Sequence, residues 1–109
     1  MKPLVAYTTV GDVETARRIA REIVERRLAA CAQLSSIESF YVWDGALQQS
    51  PEVRIVFKTT DAAWPALERA IVELHPYDLP AVHAVDVAAI HAPYAAWVAA
   101  GTQPGPNDA

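Results

Sequence analysis

The sequence predicts an α+β sandwich in which one antiparallel sheet carries two helices on one face. Hydrophobic spacing alternates between a period of two and a helical period in the order β-α-β-β-α-β, and an Asp44-Gly45 pair divides two long β-prone runs at the centre. The size allows a single domain. In 109 residues, 52% hydrophobic against 20% charged supplies a core and excludes disorder of the bulk chain. Much of the apolar share is alanine, which buries little area, so a domain of this size gains from association.

Pro3 to Thr9 forms the first strand, closed by Gly11, with Pro3 at the permitted starting position. Asp12 then caps a helix whose apolar positions are Val13, Ala16, Ile19, Ala20, Ile23 and Val24. Arg17, Arg18 and Arg21 alternate with Glu14, Glu22 and Glu25 at one-turn distances, the pattern of a solvated face.

Cys31 to Trp43 and Ala46 to Thr59 form a hairpin, because Asp-Gly suits the positive φ angles of a two-residue type I′ turn. That turn sets Trp43 opposite Ala46, Tyr41 opposite Gln48, Leu34 opposite Ile55 and Cys31 opposite Lys58. Leu34, Phe40, Val42, Leu47, Val53, Ile55 and Phe57 then share one face, expected to be core. Cys31, Gln33, Tyr41, Trp43, Glu52, Arg54, Val56 and Lys58 share the other. Pro51 cannot donate to the ladder and marks either a bulge or a bare edge, which leaves the register beyond it open by one residue.

Asp61 is the expected cap of the second helix, with Pro65 in its first turn and Trp64, Leu67, Ala70, Ile71 and Leu74 as its stripe. His75-Pro76 ends it. A strand over Ala81 to Val87 follows, and Pro93 opens a terminal helix carrying Tyr94, Trp97 and Val98. Gly101 to Ala109 is expected to be a disordered tail beyond a domain of residues 1–100. The order is that of a ferredoxin-like sandwich with an added C-terminal helix. Its second sheet face, bearing Tyr41 and Trp43, has no layer to cover it, and the hairpin outruns the other strands. A homo-oligomer is therefore expected.

Nine basic residues against thirteen acidic ones give a net charge of −4, which argues against nucleic acid or an anionic membrane surface as partner. Leu4 to Ala6 is too short an apolar run for a signal peptide, and no stretch suits a membrane span, so a cytoplasmic protein is expected. Cys31 is the only cysteine, which leaves no intrachain disulfide.

Cys31 reads as a small core thiol or as a soft metal ligand near Lys58. His75 reads as a helix-terminal hydrogen-bonding group or as a second metal donor. His83 and His91 read as structural or incidental, with His91 also a candidate extra metal donor. Glu52 and Lys58 share a strand face and are expected to line one polar cleft. No P-loop, dinucleotide fingerprint, nucleophile elbow or HExxH motif occurs, so no enzyme class is indicated.

LAAC at Leu28 to Cys31, SFYVWDG at Ser39 to Gly45, PEVRIVFKT at Pro51 to Thr59, HPYDLP at His75 to Pro80 and PYAAW at Pro93 to Trp97 occur in this order. Together they resemble the CutA family of divalent-cation tolerance proteins over residues 3–98. The resemblance implies a tight homotrimer similar in architecture to PII-type signalling proteins, a cytoplasmic location, a link to copper and other divalent cations, and no established reaction or organic cofactor. The family's recurring positions fall on Cys31, Trp43, Glu52, Lys58, His75, Tyr77 and Trp97. Gln33, Asp78-Leu79 and Ile90-His91 depart from its usual pattern.

Four readings follow. One is a trimeric copper(II) or divalent-cation binding protein with Cys31 and His75 as donors. Another is a PII-like sensor of a small anion or metabolite, whose subunit cleft is lined by Glu52, Lys58, His75 and Tyr77. The third is a hydrolytic or proton-transfer enzyme using His75 and Glu52, and the fourth is a trimeric scaffold without a ligand.

Overall fold

The computed structural model describes residues 1–103. Its elements are β1 (Pro3–Val10), α1 (Val13–Glu25), β2 (Cys31–Trp43), β3 (Ala46–Thr60), α2 (Trp64–Leu74), β4 (Val82–Asp86) and α3 (Ala92–Gly101). They build one antiparallel sheet in the order β2-β3-β1-β4, the ferredoxin-like arrangement expected.

Turn chemistry fixes the sheet's central hairpin. Asp44 and Gly45 take φ of 54° and 75°, and pairing runs without a slip from Trp43↔Ala46 to Cys31↔Lys58. Pro51 sits in that ladder opposite Glu38, so there is no bulge. The bare-edge alternative holds instead. β1 pairs with β3 only as far as Val10↔Val53, so Pro51 lies beyond the stretch where a second neighbour would need its missing N–H.

Alternation along the strands puts Ala6, Val10, Val53, Ile55 and Phe57 under the two main helices. Ala16, Ile19 and Ile23 of α1 and Ala66, Leu67, Ala70 and Ile71 of α2 meet them. Each of the larger side chains contributes about 1.5–3 kcal/mol by leaving water. Asp12 caps α1 as expected, with Oδ2 accepting from the Thr15 N–H at 3.0 Å. Thr8 Oγ1 is an exception within this core, buried with no hydrogen-bond partner among the described residues.

Three expectations change. Asp61 does not cap α2, which starts after Ala63 with no side-chain cap; its carboxylate accepts the backbone N–H of Lys2 at 2.9 Å. The expected core face of the hairpin is core only beside the helices. Leu34 (36%) is already exposed, and farther out Phe40 (59%), Val42 (71%) and Leu47 (72%) are more so, because α1 and α2 do not extend over the distal arm. Ordered structure also continues past residue 100. Gly101 closes α3, and Thr102 is buried with Oγ1 donating to the Val98 carbonyl at 2.6 Å. Residues 104–109 of the expected tail lie outside the described residues.

Candidate functional site

Three side-chain hydrogen bonds cluster where α2 stops. Pro76 disfavours helical geometry in the preceding residue, so His75 turns to extended backbone (φ −80°, ψ 135°). Its ring is thereby carried against the end of β1. β4 pairs with β1 no farther than Thr8, and the Thr9 carbonyl beyond it is met by His75 Nε2 at 2.8 Å. On the ring's other side, the Tyr77 N–H donates to Nδ1 at 3.1 Å. A nitrogen that accepts at Nδ1 leaves the proton on Nε2, which donates to Thr9. Both ring nitrogens are thus used by the protein. His75 is buried as a clamp between α2 and β1, and a metal at Nδ1 would have to displace the Tyr77 N–H.

That clamp aims Tyr77. Its ring lies 4.8 Å from the His75 ring, tilted by 59°, and its hydroxyl donates to Glu52 Oε2 at 3.0 Å. Gly11 admits the hydroxyl from the other side, where an added Cβ would sit only 3.3 Å away. Burial, together with the Glu52 carboxylate, pushes the Tyr77 phenol up to about 12. One hydrogen bond therefore ties the loop after α2 to the distal arm of β3.

A cleft of about 430 Å³ opens between that arm and that loop. Thr9, Tyr41, Trp43, Glu52, Tyr77, Asp78, Leu79 and Ala81 line it. The structure therefore brings Tyr41, Trp43, Glu52 and Tyr77 together within one chain, with His75 behind them. Thr9, Asp78 and Leu79 were not singled out as site residues. Of these, Asp78 and Leu79 carry a sequence signal, their departure from the family's usual pattern.

Lys58 belongs elsewhere, contrary to the shared cleft expected with Glu52. The two are six positions apart on one strand, about 20 Å at strand rise. Lys58 lines a second cleft of about 320 Å³ with His91, Tyr94, Ile90 and the start of β1. Its ammonium lies 5.8 Å from the centre of the Tyr94 ring, and Tyr94 stacks on the half-exposed Trp97 at 5.8 Å. Trp97 is part of this second cluster and not of the Tyr77 cleft. His83 stacks on Tyr7 across the β1–β4 pair at 5.0 Å, the structural part expected of it.

Cys31 is half-buried opposite Lys58, on the sheet face away from the helices. Lys58 pairs with Val5, and Thr9 lies four residues farther along β1, about 13 Å at strand rise. Cys31 and His75 are not brought together within one protomer. Among the described residues no three His, Cys, Asp or Glu side chains converge on a point.

A ferredoxin-like protomer with an overlong hairpin arm, a histidine clamp and a cleft beneath the arm is the class of molecule these features define. The family model described as CutA1 divalent ion tolerance protein matches residues 4–101. A divalent-cation tolerance protein CutA of Thermococcus kodakarensis is 38% identical over 99 residues, covering 91% of this chain and 95% of its own. The crystal structure of CutA1 from Oryza sativa superposes with a TM-score of 0.91 at 32% identity, covering 94% of this chain and 95% of that one. The periplasmic divalent cation tolerance protein CutA of Archaeoglobus fulgidus gives a TM-score of 0.89 at 25% identity, over 93% of this chain and 99% of that one. The chain belongs to the CutA1 family of divalent ion tolerance proteins.

Proposed function

We propose that the protein is a non-enzymatic homotrimer that binds divalent cations, copper(II) foremost, at sites assembled from more than one protomer. The observation that carries this reading is the arm. Phe40, Val42 and Leu47 on one face and Tyr41 and Trp43 on the other stand exposed on a two-stranded ribbon, an apolar surface that favours burial against further copies. A threefold assembly also multiplies sparse donors. Each protomer brings one Cys31 on the open sheet face, and three copies approach the count that a single chain lacks.

Copper(II) heads the affinity order of divalent first-row ions for a given set of nitrogen, oxygen and sulfur donors. Of the two donors expected, Cys31 is the stronger, since both nitrogens of His75 are already bonded. A cytoplasmic site of action fits a lone thiol without an intrachain disulfide partner, whereas the relative from Archaeoglobus fulgidus is described as periplasmic. Cell fractionation tests the location.

Calorimetric titration with copper tests the metal reading. Wild type is expected to bind, Cys31→Ser to lose at least tenfold in affinity, and His75→Ala to lose thermal stability with little change in affinity. Absence of binding by the wild type, or equal affinity in Cys31→Ser, would remove this assignment.

A second reading, a PII-like sensor of a small molecule, is favoured by the cleft beside Tyr77, whose size is that of a small-ligand pocket. A thermal-shift screen with metabolites separates the two, since stabilisation by an organic ligand without any metal effect favours the sensor. Stabilisation by neither leaves the trimeric scaffold.

A further inference from the structure

Helix α1 ends in a form that ordinarily takes glycine. The Leu28 N–H donates back to the Ile23 carbonyl at 3.1 Å and the Arg27 N–H to the Val24 carbonyl at 3.0 Å, a close that puts residue 27 in the left-handed region. Arginine stands there at φ 59°, where a Cβ is strained. Its side chain supplies what glycine would lack. Arg27 Nη2 donates to the Ala100 carbonyl of α3 at 2.7 Å, across 73 positions.

The last carbonyls of α3 have no acceptor role inside the helix and need donors from outside it. Thr102, just beyond, serves two of them: its Oγ1 donates to Val98 at 2.6 Å and its N–H to Ala99 at 3.2 Å. Arg27 takes the next, and its positive charge complements the negative end of the helix dipole. At the same end Gly101 backs onto Ala30, where an added Cβ would sit 3.0 Å from the alanine Cβ. The rest of the attachment is thin. Val98 is the buried residue of α3, His91 gives no side-chain cap at its start, and residues 87–91, which join it to β4, form no regular element.

We propose that α3 is a latched strap, able to leave the sheet as a unit about the 87–91 link, and that the Arg27 guanidinium is its latch. Tyr94 and Val98 of α3 line the cleft that holds Lys58, so release of the strap opens that cleft. The contacts of Arg27 with Ala100 and of Gly101 with Ala30 lie within one chain and involve neither the arm nor its apolar surface.

Hydrogen–deuterium exchange read by mass spectrometry on the full chain in its native assembly tests this. Arg27→Gly removes the guanidinium and relieves the backbone strain, Arg27→Ala removes the guanidinium and keeps the strain, and Arg27→Lys keeps a cationic donor. Exchange over residues 92–102 is expected to quicken about three- to tenfold in both Arg27→Gly and Arg27→Ala, the effect of losing a charged hydrogen bond screened by solvent, and less in Arg27→Lys. Residues 64–74 of α2 are expected to keep the wild-type rate in Arg27→Gly. Acceleration of α3 in Arg27→Ala but not in Arg27→Gly would assign the effect to strain and overturn the latch. Equal acceleration of α2 and α3 would overturn the separate unit, since the whole domain would then be opening. Wild-type exchange of α3 in every variant would overturn both.

Discussion

Replacing Tyr77 by Phe removes the one hydrogen bond that ties the loop after α2 to the arm and leaves the ring in place on His75. A bond to an ionised acceptor contributes about 1.5–3 kcal/mol when desolvated. Tyr77 is 40% exposed, so solvent screening reduces the expected loss to about 1 kcal/mol, or about 4–8 °C in Tm for a domain of this size.

The wild type also carries an alkaline signature that Tyr77→Phe lacks. Its phenol is pushed up to about 12 from the ordinary 10.0. Below pH 10 the folded and unfolded chains both keep the phenolic proton. Between pH 10 and 12 the unfolded chain releases it first, so the contribution of Tyr77 to stability declines as pH rises through that window and is flat above it. With the same screening, the decline amounts to about 1 kcal/mol. Denaturant unfolding followed by circular dichroism at fixed protein concentration, from pH 8 to 12, reads both effects. Other groups titrate there in both proteins, so the difference curve isolates Tyr77. A variant as stable as wild type with the same alkaline slope would refute the tie between loop and arm.

Thr8→Val removes a buried hydroxyl that has no partner, and is expected to raise stability by about 1 kcal/mol in the same unfolding assay. Gly45→Ala is expected to cost about 1 kcal/mol, all of it backbone strain, because φ is +75° and an added Cβ would touch nothing within 4 Å. Asp12→Ala is expected to lower Tm at neutral pH. Hydrogen bonds from Thr15 hold the Asp12 carboxyl below 3.8, so its contribution is present above that value and lost as pH falls through the lowered one; the variant's deficit should shrink on acidification.

The hairpin was readable to the residue from its Asp-Gly turn as far as Pro51, where a bulge would have shifted every later pair by one; the unbroken ladder to Cys31↔Lys58 is the structure's finding. The α1 cap was equally local, with donor and acceptor three positions apart. Asp61 looked the same in sequence but serves Lys2, and a contact across 59 positions leaves no trace in a local pattern. The histidine clamp was hidden for the same reason, since Thr9 and His75 meet only through the sheet. The separation of Glu52 from Lys58 was legible: six residues of strand exceed any small-ligand cleft, and the shared face alone had suggested their union. Alternation correctly assigned Phe40, Val42 and Leu47 to one face of the arm, but periodicity does not show where the covering helices end.

The exposed arm has a direct physical test in the solution mass. Light scattering on a sizing column at micromolar concentration is expected to give the wild type three times the 11.9 kDa chain mass, and Val42→Ser/Leu47→Ser a smaller species. A wild type that elutes at the mass of one chain, or a trimer indifferent to both substitutions, would contradict the claim that the arm is built to be covered by other copies.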